Sequence, residues 1–251
     1  MRNLIYGWKP QLPDQRDFQY KVEAPLETLP PVVDLRAGCP PVYDQGQLGS
    51  CVGNGVAAAI EFEQIKEKDP NYFTPSRLFV YYGARLIENT VKSDSGAQIR
   101  DGIKVVVNSG VCKETTWPYD IIKFTKKPTA TAYKEALKYK ALVYSAVVQD
   151  QNSVKQCLAN GDVIVFGFTV YSSFESQAVA TTGIMPMPAP NEKVLGGHCS
   201  VVVGYDDTKQ MMIIRNSWGS GWGDKGYFYM PYNFFFSNLT SDFWSIKKVM
   251  I

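Results

Sequence analysis

The sequence predicts an α+β protein of two lobes, helical in its first half and β-rich in its second. Between about 44 and 125, apolar residues recur at helical spacing. From about 126 onward the period changes, and β-branched and aromatic residues gather in runs of strand length. The chain has 251 residues, 45% apolar and 20% charged, enough for two lobes sharing a cleft.

Residues 1–30 precede the first lobe as a leader with four prolines, Pro10, Pro13, Pro25 and Pro30, and the charges Asp14, Arg16 and Asp17. No periodic element is expected there. Its apolar residues Leu4, Ile5, Tyr6, Trp8 and Phe18 suggest an arm lying over the cleft as a plug; the alternative is an inert strap on the back of a lobe. Val52 to Lys68 reads as the central helix, with Val52, Val56, Ala59, Ile60 and Phe62 as its apolar positions and Glu61, Glu63 and Lys66 in a charged end. Thr74-Pro75-Ser76 looks like a helix start, leading into Arg77 to Leu86. Ser95 to Asn108 reads as another amphipathic helix, stopped by Ser109-Gly110. Strands are expected at 141–148, 162–170, 198–205, 211–216, 226–230 and 243–249, with a short helix at 153–159 and a hairpin at Asp206-Asp207-Thr208-Lys209. The Pro/Met-rich stretch 183–190 stays unassigned beyond preceding His198.

Cys51 stands at the start of the central helix, behind Asp44-Gln45-Gly46-Gln47-Leu48-Gly49-Ser50. Free backbone N–H groups and the positive end of the helix dipole stabilise an anion there. That is a place for a thiolate nucleophile, although a free cysteine is more commonly a small buried hydrophobe. A thiolate nucleophile needs a base, usually a histidine held by a third group. The chain has one histidine, His198, in Gly196-Gly197-His198-Cys199, and Asn216 follows 18 residues later in Asn216-Ser217-Trp218-Gly219.

These segments together resemble the papain-like cysteine proteases, the family of papain and the cathepsins. His198 lies 147 residues after Cys51, inside the spacing of that family, and Asn216 lies 165 after, slightly beyond it. Pro31-Val32-Val33-Asp34-Leu35-Arg36 resembles the start of the mature domain and Trp117-Pro118-Tyr119 an internal landmark. The resemblance implies a papain-like fold over residues 31–251, with a helical lobe at about 44–125, a β-barrel-like lobe at about 126–251, and the active site in the groove between. It further implies Cys51 as nucleophile, His198 as base, Asn216 as its orienting partner and Gln45 as oxyanion-hole donor. By the same resemblance Gly49, Ser50, Ser95, Gly96, Gly197 and Trp218 would meet substrate or shield the site. The sequence departs from the family at Leu48, where a disulfide cysteine is usual, and at Val52, where an aromatic residue is usual.

The implied reaction is hydrolysis of a peptide or protein through an imidazolium-thiolate pair and a thioester, by a monomer without cofactor. Two other classes compete: a papain-like binding module that has lost catalysis, and a Cys-His acyltransferase or amidase. The first usually lacks one of the four residues, and the second usually carries Asp as third member and lacks the Asn-Ser-Trp-Gly block. The net charge of +2, without a Lys/Arg cluster interleaved with aromatics, recommends neither nucleic acid nor a membrane surface as partner. No run of 18 apolar residues and no secretory segment is present in the sequence, so an intracellular site or leaderless export is expected. The five cysteines show no metal-ligand spacing and read as reduced thiols.

Overall fold

In a computed structural model, which describes residues 5–21 and 26–249, the chain turns around one helix set against one sheet. The first strand, β1 (Val32–Asp34), is followed by helices α1 (Cys51–Lys66), α2 (Arg77–Ile87), α3 (Ile99–Asn108) and α4 (Ala130–Ala136). Strand β2 (Ala141–Ala146) opens the second half. It continues through α5 (Gln151–Ala159), β3 (Ile164–Tyr171), α6 (Gln177–Thr182), β4 (Val194–Asp206), β5 (Met211–Arg215), β6 (Tyr227–Pro231), α7 (Tyr232–Phe235) and β7 (Thr240–Val249).

The sheet is antiparallel, in the order β2-β7-β3-β4-β5-β6, with β1 added beside β4. It is open: β2 and β6 do not pair, so the expected barrel-like lobe is an unclosed twisted sheet. Its two faces feed two cores, as the period-2 pleat requires. Val163 and Val165 of the β3 region pack with α1, α2 and α3. Ile164, Phe166, Phe168 and Val170 point the other way, into an aromatic cluster with Phe174, Phe228, Phe234 and Phe235.

Several expected boundaries move. The central helix begins at Cys51 and ends at Lys66. It is buried nearly all round, so Glu61 and Glu63 are core residues rather than an exposed charged end. Their carboxylates are placed by partners: Glu61 accepts from Tyr43 and Thr74, and Glu63 pairs with Lys66. Ser76 caps α2 by accepting from Phe79 N at 3.2 Å, and Pro75 stands just before the cap. The helix expected from Ser95 starts only at Ile99. Residues 95–98 are drawn out instead, and Ala97 pairs with the leader. Helices α4, α6 and α7 and strand β1 were not anticipated. Leu4 and Pro25 of the leader lie outside the described residues.

Candidate active site

Cys51 is the first residue of α1, at the floor of a turn fixed by Gly46 (φ +60°) and by Asp44, whose Oδ1 accepts from Gly46 N at 2.9 Å. Gln45 N donates to Ser217 O at 2.8 Å, tying this turn to the segment that carries Asn216. The four expected residues are buried: Gln45, Cys51, His198 and Asn216.

The imidazole is held from three sides. His198 Nε2 lies 2.8 Å from Asn216 Oδ1. An amide oxygen can only accept, so the bond places the proton on Nε2 and leaves Nδ1 as a lone-pair base. Nδ1 has no hydrogen-bond partner among the described residues, which is what a base reserved for a neighbouring thiol would show. Trp218 lies against the ring at 4.9 Å between centroids and 30° between planes, and Phe168 meets it edge-on at 5.5 Å. The backbone N–H of Cys199, the residue after His198, interacts with the Cys51 sulfur, which puts the thiol beside the histidine end of β4.

Gln45 is fixed as a donor. Ser217 Oγ donates to its Oε1 at 2.6 Å, and its Nε2 donates to Leu48 O at 2.9 Å and to Ile5 O at 3.3 Å.

Burial sets the charge state of the pair in this covered form. It pushes the Cys51 thiol up to about 11, with the backbone N–H groups of Cys199, Gly7 and Val52 offsetting part of the rise. It also pushes His198 down to about 4, against the opposing bond to Asn216. Both shifts favour the uncharged thiol and the uncharged imidazole while the leader covers them.

What covers the pair is the leader. Gly7 O accepts from Ala97 N at 2.7 Å, Lys9 N donates to Ala97 O at 3.1 Å, and Trp8 N donates to Gly197 O at 2.9 Å. Residues 7–9 thus run parallel to the segment around Ala97 as an added strand between the lobes. Tyr6 stands edge-on to His198 at 6.0 Å and hydrogen-bonds Glu175. The fit excludes side chains: a Cβ on Gly7 would come 1.7 Å from Gly49 O, and one on Gly96 (φ +69°) would come 2.2 Å from Gly7 O. Farther along, Arg100 grips Asp17 through Nε (3.1 Å) and Nη2 (2.5 Å) and Leu12 O through Nη1 (2.9 Å).

The remaining expected residues divide. Gly49, Gly96 and Gly197 meet the leader backbone directly. Trp218 packs on the His198 ring and is itself buried. Ser50 and Ser95 do not reach the leader through their side chains. Ser50 Oγ lies 2.5 Å from Tyr119 Oη, and Ser95 Oγ donates to Thr90 Oγ1 at 2.8 Å. Sequence reasoning missed Ala97, whose only signal was its place after Gly96, and Ser217, Asp242 and Gly167, which declare themselves only through contacts distant in sequence. All five cysteines are free thiols.

A buried cysteine at a helix start, an imidazole tautomer fixed by an amide oxygen and a held amide donor define a site of the thiol hydrolase class. Residues 29–241 match the description "Papain family cysteine protease", and the chain belongs to that family. An uncharacterized peptidase C1-like protein of Acanthamoeba polyphaga mimivirus is 46% identical over 215 residues, 82% of this chain and 69% of that protein. Chymopapain of Carica papaya is 27% identical over 221 residues, 85% of this chain and 57% of that protein. The crystal structure of xylellain, a cysteine protease from Xylella fastidiosa, superposes with a TM-score of 0.89 at 46% identity, covering 97% of this chain and 96% of xylellain. The chain spans 59% of the length of the Entamoeba histolytica cysteine proteinases 1 and 2.

Proposed function

We propose that this chain is a cysteine peptidase whose leader, within residues 1–30, holds the peptidase domain of residues 31–251 latent. In the open form Cys51 passes its proton to His198 Nδ1 and attacks a peptide carbonyl. The oxyanion takes hydrogen bonds from Gln45 Nε2 and the Cys51 backbone N–H, and one such donor is worth about 2.7–4 kcal/mol at the transition state. His198 then protonates the leaving amine, and water hydrolyses the thioester. Asn216 holds the ring orientation throughout.

One observation carries the latent state: the carbonyl of Ile5 occupies the Gln45 amide and the Gly7 backbone covers the thiol. Both places belong to substrate during the reaction. The test is hydrolysis of fluorogenic peptides by wild type, Gly7→Ala and Gly7→Ala/Cys51→Ala. The methyl collides with Gly49 O, and overpacking of about 1–3 kcal/mol displaces the leader enough to raise the rate about tenfold. The second substitution abolishes it. A Gly7→Ala protein as inert as wild type, with Cys51 resisting alkylation in both, refutes the reading and leaves a binding module.

A further inference from the structure

We infer that Asp94, acting through Tyr81, is a positioning residue of the cleft: it fixes the gap between Gly49 and Gly96 through which an extended peptide backbone reaches Cys51. The inference rests on the cleft being a peptidase site, and it names the residues that align substrate there.

The two banks of the gap come from different parts of the chain. Gly49 belongs to the turn that leads into Cys51, the first residue of α1. Gly96 and Ala97 belong to the drawn-out segment before α3, and Ala97 pairs with the leader through both its N–H and its C=O. The leader shows how narrow the gap is. Gly49 O lies 1.7 Å from where a Cβ on Gly7 would stand, and Gly7 O lies 2.2 Å from where a Cβ on Gly96 would stand. No disulfide holds the banks at this spacing, since all five cysteines are free thiols.

A carboxylate and a phenol hold them instead. Gly49 N donates to Asp94 Oδ1 at 3.1 Å and to Oδ2 at 2.9 Å. Tyr81 Oη donates to Asp94 Oδ1 at 2.5 Å and accepts from Gly96 N at 3.1 Å. One hydroxyl thus gives its proton toward the Gly49 bank and takes a bond from the Gly96 bank, which closes the bridge. Burial and the adjacent carboxylate both keep that proton on the phenol. The bridge is braced from behind. Tyr81 is fully buried on α2, and Arg85, one turn later, lies over its ring at 4.0 Å. The same guanidinium donates to Val91 O at 3.1 Å and Ser93 O at 2.9 Å, fixing the loop that carries Asp94.

The bridge touches backbone N–H groups of the two banks and none of the reacting atoms. Without it Gly96 and Ala97 drift relative to Gly49, and a misplacement of about 1 Å away from the chemistry can cost about a hundredfold in rate. A reagent too small to span the gap is indifferent to that drift.

The test uses the full-length Gly7→Ala protein and measures alkylation of Cys51 by a peptidyl chloromethyl ketone, which spans the gap, and by iodoacetamide, which does not. Dividing the first rate by the second cancels any change in how often the leader opens. Tyr81→Phe, which removes only the hydroxyl, and Asp94→Ala should each lower this ratio about tenfold. Asp94→Asn, which keeps an acceptor oxygen for Gly49 N and Tyr81 Oη, should restore most of it. A role in stability alone would lower both rates together and leave the ratio as it was. An unchanged ratio in Tyr81→Phe overturns the inference, whether or not Asp94→Ala folds. So does a parent protein that reacts with the two reagents in the same ratio as free cysteine. Hydrolysis of fluorogenic peptides separates this inference from the reading it rests on. A lowered ratio in a protein that hydrolyses no peptide counts against the peptidase reading alone, and an unchanged ratio in one that does counts against the bridge alone.

Discussion

Gln45 Nε2 donates to the backbone carbonyl of Ile5 at 3.3 Å, the hydrogen bond by which the leader, among the described residues, reaches this amide. The bond is long, and the same nitrogen makes a shorter one of 2.9 Å to Leu48 O. The amide is thus held ready by the protein and only lightly engaged by the leader.

Replacing Gln45 by alanine in the Gly7→Ala background should lower kcat by about 10²–10³-fold with little change in KM, because the lost bond matters most at the transition state. Ser217→Ala should act in the same direction and more weakly, since it frees Gln45 Oε1 without removing the donor. Peptide hydrolysis kinetics check both, and a Gln45→Ala protein with unaltered kcat would exclude the side chain from the oxyanion site.

Asn216→Ala removes the acceptor that fixes the proton on His198 Nε2. The ring then reorients and populates the other tautomer, and kcat should fall about tenfold or more. Nitrogen-15 NMR of the single histidine should show the tautomer mixture directly, with one Nε2–H form in the parent protein.

Acid should loosen the leader. Burial pushes the covered His198 down to about 4, and removing the leader's share of that burial moves it back toward the ordinary imidazole value of about 6.5. Between those values the uncovered form binds the extra proton, so lowering pH through this window shifts the balance toward it. The covering contribution is complete above about 6.5 and declines as pH falls to about 4. At the alkaline end Cys51 acts oppositely: a thiol raised to about 11 makes uncovering easier between about 9 and 11. Hydrogen exchange at the Trp8 and Lys9 amides, corrected for intrinsic rates, should accelerate between pH 6.5 and 4 in the parent and much less in His198→Gln. A parent profile as flat as that of the variant contradicts this account.

Arg100→Ala should loosen the leader without touching the reacting groups. It removes charge-assisted bonds to Asp17 and a bond to Leu12 O, worth about 1.5–3 kcal/mol to a charged group. Alkylation of Cys51 should accelerate about tenfold or more at pH 7, and an unchanged rate would place the hold elsewhere along the leader.

The residues proposed for the chemistry were legible because each carries a local signature: a helix start after Gly49-Ser50, a lone histidine beside Gly197, and Asn216 in its tryptophan and glycine setting. The helices and strands of the long periodic runs were legible for the same reason. What escaped depends on encounters between distant segments. Glu61 and Glu63 look like solvent-facing charge until Tyr43, Thr74 and Lys66 are brought to them. Gly7 reads as one more flexible residue of a proline-rich arm, and only the approach of Gly49 O shows that no other residue fits. Asp242 and Trp8 meet across 234 positions of sequence. Strand β1, three residues long, has too few positions for a period.

The pairing of β1 with β4 has a kinetic consequence for whatever removes the leader. Val32–Asp34 is laced to Gly204–Asp206 of the strand that also bears His198, so a leader displaced from the cleft would stay tethered to the sheet through β1. A short tether of this kind keeps a detached segment at an effective concentration in the millimolar range, and rebinding is intramolecular. Release by contact loss alone is then reversible. A single cut between the two attachments, for instance at Leu12, which is 84% exposed, would turn the same segment into a free peptide that dilutes away.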